Sequence, residues 1–248
     1  MTTTTPAGLE VRGLTHRFGA VAALTDVTLT VRPGTITGLV GRNGAGKTTL
    51  AALVAALRPV QAGSVLLDGA VPWESPAVTS RIHLVRDKGG VVEDERIRTT
   101  FAFAAMLRPH WDEDYAHALL DRFEVPFRRK PQQLSTGKRS ALSAILGLAS
   151  RSDLTIFDEV YLGMDAVARR MFYDELMADY VAHPRTIILS SHLLDEVEDL
   201  MEDVIVLDRG RVVAAGAADD VRRHHSRPDR LASLTDVLIA LSSERSAS

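Results

Sequence analysis

Apolar and polar positions alternate over residues 9–14 (LEVRGL) and 27–31 (VTLTV), which predicts two half-buried strands. Pro33-Gly34 marks a turn before residues 35–40 (TITGLV), a mostly apolar and β-rich run of the kind a buried strand needs. Residues 64–67 and 82–85 predict further short strands. From about residue 99 the spacing becomes helical: 101–107, 115–123 and 141–149 each read as a helix, with Asp112 placed to cap the second. Buried-strand character returns at 154–157 and 186–189, and 204–207 with 212–215 predict a hairpin around Arg209-Gly210. This order predicts an α/β core, a mixed sheet flanked by helices, with an antiparallel β region near its start and a helical subdomain inserted near its middle. The expected segments are 1–87 (β region and first part of the core), 88–150 (helical subdomain), 151–220 (second part of the core) and 221–248 (a helical tail).

Candidate chemistry sharpens that picture at residues 41–49 (GRNGAGKTT). Gly41, Gly46, Lys47 and Thr48 complete the pattern G-x-x-x-x-G-K-[ST], a phosphate loop, between a predicted strand and a predicted helix over 47–57. Backbone N–H groups along Gly41, Asn43, Gly44, Ala45, Gly46 and Thr49 suit a polyphosphate, and the helix adds the positive end of its dipole. Lys47 reaches the β- and γ-phosphates, and the Thr48 hydroxyl suits Mg²⁺. A second constellation ends the strand at 154–157: Asp158 suits the Mg²⁺ hydration shell, and Glu159 suits a base that polarises an attacking water. The fold class expected is therefore a phosphate-loop NTPase core binding a nucleotide polyphosphate and Mg²⁺.

Bulk properties exclude other classes. A chain of 248 residues, 46% hydrophobic and 25% charged, is an ordinary globular composition. No apolar run approaches a membrane span, and the N-terminus lacks a secretory pattern. There is no cysteine, hence no disulfide and no thiolate metal site. A net charge of −3 gives no reason to expect a nucleic-acid partner, and Arg128-Arg129-Lys130 reads as a solvated surface. His224-His225 has no third ligand in sight for a metal.

Between the glycine motif and the acidic motif lies Leu134-Ser135-Thr136-Gly137-Lys138, and after them come Gly163-Met164-Asp165 and Ser190-Ser191-His192. In order and spacing these five motifs resemble the ATP-binding subunits of bacterial ABC transporters, over about residues 9–216. The resemblance implies a head-to-tail pair of ATP-binding subunits, a homodimer ahead of a heterodimer. In that pair Ser135 and Gly137 contact the γ-phosphate held on the other subunit's Lys47. It further implies that Phe18 stacks on adenine, that Asp165 links the two ATP sites, and that His192 contacts the γ-phosphate and orients the water. An integral membrane permease is the implied partner, which would place the chain in the cytoplasm, peripheral on the inner face of the membrane. Residues 233–238 (SLTDVL) resemble the short C-terminal helix of exporting subunits, so export is the expected direction.

The chain departs from the family pattern in three places. Asp87 stands where a Gln that touches Mg²⁺ and the permease is usual, and is expected to serve the metal. Thr136 and Lys138 replace the third and fifth residues of the usual LSGGQ signature, the fifth being a ribose contact. Val160-Tyr161-Leu162 follows the acids where a Pro is usual. The competing readings are a soluble ABC ATPase without transport and a regulatory module that holds ATP without turnover. The first usually carries two ATP units or a long coiled coil, and Glu159 and His192 argue against the second.

Overall fold

The structure, a computed structural model, describes residues 7–86, 91–226 and 230–244. In chain order the elements are β1 (Leu9–Phe18), β2 (Val21–Val31), β3 (Ile36–Val40), α1 (Lys47–Val54), β4 (Ala62–Leu67), α2 (Pro76–Thr79), β5 (Ile82–Arg86), α3 (Ile97–Leu107), α4 (Glu113–Arg122) and α5 (Thr136–Ser150). There follow β6 (Leu154–Asp158), α6 (Ala166–Ala182), β7 (Thr186–Ser191), α7 (Leu194–Val197), β8 (Asp203–Asp208), β9 (Arg211–Ala217), α8 (Ala218–His224) and α9 (Leu234–Glu244). The chain forms two compact units, one of Ala7–Ser75 with Thr186–Ser248 and one of Pro76–Arg185.

In the first unit β1 pairs antiparallel with both β2 and β4, giving a three-stranded sheet in the order β2-β1-β4. Both β1 and β2 outrun the alternation seen in the sequence. Register shifts between Val11 and Leu14, and again between Leu14 and His16, break the two-residue period while the pairing continues. The other strands carry the core. All residues of β3, β7 and β8 are buried; β3 pairs parallel with β7 and β8, and β8 pairs antiparallel with β9. Parallel strands covered on both faces read as continuous apolar runs, which is why they were legible in the sequence. Helix α1 is shorter than the 47–57 expected. Ala56 adopts φ 52°, a left-handed closure, and Pro59 follows too soon for another turn.

In the second unit β5 and β6 pair in parallel, and α3 to α6 make up most of the rest. Asp112 caps α4 as expected, its carboxylate accepting the Tyr115 N–H at 2.8 Å. Helix α6, seventeen residues long, has no counterpart in the sequence reading. Its buried face mixes Phe172, Tyr173 and Leu176 with Glu175 and Asp179, so no apolar stripe marks it.

Those buried charges are matched. Arg185 is fully buried, and its Nη1 lies 2.7 Å from Asp179 Oδ2. Arg151, the left-handed C-cap of α5, reaches Asp179 at 3.2 Å and Asp112 at 2.7 Å. One carboxylate thus joins the end of α6 to the end of α5, and Arg151 extends the tie to the start of α4. Asp179→Ala leaves Arg185 in the core without its counter-ion and should cost about 3–5 kcal/mol; urea unfolding of the variant against the natural chain checks this.

His83 on β5 gives the same unit a pH dependence. Ser150 donates to Gly147 O at 2.9 Å, so the His83 Nδ1–H is the donor to Ser150 Oγ at 2.8 Å. Burial, and then the Arg108 guanidinium, push the imidazole pKa down to about 3. The folded state therefore holds His83 neutral where the unfolded chain takes up a proton. Its contribution is complete above the unfolded pKa of about 6.5 and is lost as pH falls below it. Between pH 7 and pH 5 the natural chain should lose on the order of 1 kcal/mol more than His83→Gln; urea midpoints at the two pH values measure the difference.

Candidate functional site

The phosphate loop leaves β3 at Gly41 and enters α1 at Gly46. A side chain at Gly41 would put its Cβ 2.4 Å from Leu207 O, so only glycine lets the loop pass that close to β8. The loop is pinned by the hairpin: Gly210 N–H donates to Ala45 O at 2.9 Å, and Thr25 N–H donates to Gly210 O at 2.8 Å. Gly46 is the N-cap of α1, with φ 108°. No side chain caps this helix and no acid occupies its first turn. Asn43 and Gly44 are exposed at the loop tip, Ala45 is buried, and Thr48 is exposed on the first turn with Thr49 half-buried beside it. Lys47 is buried; its Nζ donates to Gly41 O at 2.7 Å and to Arg42 O at 3.4 Å. The ammonium is thus held at the loop by carbonyls, in reach of an anion lying on the N–H groups.

Beside the loop is an open cavity of about 520 Å³, lined by residues 41–45, His192, Asp208, Arg209 and Leu238. The structure therefore brings His192 to the phosphate loop. His192 is exposed just after β7, in a turn where Leu193 N–H donates to Ser191 Oγ at 3.0 Å. Phe18 ends β1 and is 44% exposed. The Arg58 guanidinium lies 5.0 Å from its ring centre, and His16 packs edge-on at 4.9 Å. Burial, and next Arg58, hold the His16 pKa below its ordinary value. Phe18 thus offers a flat, partly exposed ring already backed by a cation.

The second unit holds the remaining candidates. Asp158, buried, ends β6. Glu159 follows with φ 51°, in the left-handed region that a residue with a long side chain rarely adopts. Glu74, Glu124, Arg151 and Arg209 share that conformation, so at Glu159 it marks a tight turn out of β6. Ser135 is the N-cap of α5, its hydroxyl accepting the Lys138 N–H at 3.3 Å. Asp165 caps α6, accepting the Ala168 N–H at 2.8 Å. Both capping side chains remain exposed. Gly163 packs so tightly on the start of α5 that a Cβ there would meet Ser140 Oγ at 2.4 Å, and a Cβ on Gly137 would meet Gly163 O at 3.0 Å. The Asp165 loop and the Ser135–Gly137 turn are therefore neighbours within one unit, a juxtaposition the sequence order does not reveal.

Lys138 is tied to its own unit. Its Nζ donates to Phe123 O, at the C-terminus of α4, at 2.7 Å and to Glu124 at 3.1 Å. Asp87 lies outside the described residues. Among the described residues no group of three or more His, Asp or Glu side chains forms a ready-made metal site. Arg58, Arg209 and Leu238 were not anticipated from the sequence. No motif marks them, and only the fold brings them to Phe18 and to the loop.

The ABC transporter family model matches residues 24–161. The chain is 31% identical over 234 residues to the ABC transporter ATP-binding protein YtrB of Bacillus subtilis (strain 168), covering 94% of this chain and 80% of the relative. It is 32% identical over 222 residues to the Nod factor export ATP-binding protein I of Cupriavidus pinatubonensis, covering 86% and 67%. A solved ATP-binding subunit of an ABC transporter superposes with a TM-score of 0.81 at 27% identity, over 94% of this chain and 99% of that one. With its phosphate loop, its α/β fold and these matches, the chain belongs to the ABC transporter family as an ATP-binding, ATP-hydrolysing subunit.

Proposed function

We propose that the chain drives a separate membrane permease, in the direction of export, by closing on a second ATP-binding subunit when ATP is bound and reopening after hydrolysis. The observation that carries the ATP site is the loop itself: fixed by the hairpin, aimed by an uncapped helix, and holding a buried lysine. No helix among the described residues is long and apolar enough to cross a membrane, so transport needs a partner that does. Export rests on the 233–238 segment and on a relative named for Nod factor export. A homodimer is the simplest pair.

Within this reading Lys47 and the N–H groups of residues 41–49 bind the triphosphate, and Phe18 takes the adenine. Ser135 and Gly137 receive the γ-phosphate carried by the partner. Their helix favours this: α5 has no acid in its first turn and carries Lys138 and Arg139 near its start, so its positive end is unmatched by its own sequence. Asp165, on the loop packed against that turn, links the two sites. Mg²⁺ asks for hard oxygen donors and is commonly held through substrate phosphates with one or two protein groups. The exposed Thr48 hydroxyl and the carboxylates of Asp158 and Asp87 are donors of that kind. Mg²⁺ supplies charge neutralisation on the phosphates. Glu159 takes the proton of the attacking water, and His192 orients that water.

Lys47→Ala should weaken ATP binding by roughly 100-fold, the scale expected when a charge-assisted hydrogen bond is removed from a buried site. Titration with a fluorescent ATP analogue reads this directly, and unchanged affinity would remove the loop from the site.

Glu159→Gln keeps the side chain's shape and removes the base. Turnover should fall by about 100-fold or more while ATP binding persists. With Mg-ATP the variant should elute at twice the monomer mass on size exclusion. Wild-type turnover would show that another group is the base.

A further inference from the structure

We infer that the C-terminal helix α9 positions His192 by holding the short helix that follows it, with Glu198 as the link. This inference rests on the proposed role of His192 at the γ-phosphate. Helix α7 has four residues and no side-chain cap, too short to hold its own shape in water. Asp195 on it and Glu198 just past its end are instead held by the tail. Leu234 N–H, at the start of α9, donates to Glu198 Oε2 at 2.7 Å, and the Thr235 hydroxyl donates to Asp195 Oδ1 at 2.8 Å. Arg222 of α8 lies 3.7 Å from the other Glu198 oxygen and donates from Nε to Ala232 O at 3.0 Å. The same carboxylate thus binds both tail helices.

The tail is docked firmly enough to act as a brace. Ala232, Leu234 and Val237 are buried. Helix α9 also fixes its own start: Asp236 accepts the Ser233 N–H at 3.1 Å, Ser233 Oγ accepts the Asp236 N–H at 3.1 Å, and Arg230 pairs with Asp236 at 2.6 Å. One turn further on, Leu238 lines the same cavity as His192 and the phosphate loop. A tail that merely covered an apolar patch would need neither the bonds to Asp195 and Glu198 nor a side chain at that cavity. The tail therefore confines the His192 turn from one side and supplies apolar wall beside it.

The test compares Glu198→Ala with Glu198→Gln in the full-length chain, because the amide oxygen of Gln can still accept the Leu234 N–H. Glu198→Ala should speed amide hydrogen exchange at residues 193–197 by about tenfold and lower kcat by a similar factor, the scale of one hydrogen bond to a charged group. The KM for ATP should stay within about twofold, since the phosphate loop is untouched. Glu198→Gln should restore both. Thr235→Val, a milder change, should act in the same direction, and Thr235→Ser should restore it. The inference is overturned if exchange rises only in residues 231–244 while 193–197 stay protected, or if KM rises in step with the loss of kcat. His192→Ala separates the two ideas: full turnover in that variant would refute the role given to His192, whereas slow turnover there with normal turnover in Glu198→Ala would refute the brace alone.

Discussion

Helix α1 begins with an electrostatic mismatch that its own sequence does not cure. Its first N–H groups have no side-chain cap, no acid lies in the first turn, and the first residue is a buried lysine. Positive charge has been placed at the positive end of a helix dipole, where an anion is favoured instead. The surroundings tolerate this because Gly41 and Arg42 carbonyls hold the ammonium and the β8–β9 hairpin fixes the loop from its other side. An incoming polyphosphate meets N–H groups and a cation already in place, so little reorganisation opposes binding. Helix α5 repeats the arrangement more weakly, with an exposed serine cap and two cations near its start. Two helix starts that lack a negative charge are a physical reason for a fold in which one triphosphate is proposed to satisfy both.

How much of this was legible depended on which force shaped each element. Buried parallel strands such as β3, β6 and β7 show as apolar runs, so their positions were read to within a residue or two. The phosphate loop was legible because its chemistry dictates residue types at fixed spacing. The strand pair β1–β2 was only half seen, since bulges break its alternation. Helix α6 was missed because paired charges replace hydrophobes on its buried face, and pairing is invisible until Arg151, Arg185 and Asp179 are brought together. Ser135 and Asp165 take their expected roles from the family resemblance alone; in the structure each caps its helix while its side chain remains exposed, which no spacing in the sequence decides.

Departures from the family pattern have different physical meanings. Lys138 at the fifth signature position bonds to the C-terminal carbonyl of α4 and to Glu124, so the substitution ties two helices of one unit together. A cation suits that place, since the α4 C-terminus presents the negative end of its dipole. Nothing in the structure explains Val160-Tyr161-Leu162 in place of a proline, beyond the burial of Val160 and Tyr161.

The backbone at Glu159 carries a consequence of another kind. A left-handed conformation costs a long side chain about 1 kcal/mol that glycine would avoid and asparagine would reduce. Stability and the role proposed for Glu159 as the base therefore pull this position in opposite directions. A library of variants screened for heat resistance alone would drift there toward glycine, gaining melting temperature while discarding the carboxylate. Any thermostabilised descendant of this chain has to be selected with turnover in the assay, or it will be improved out of its function.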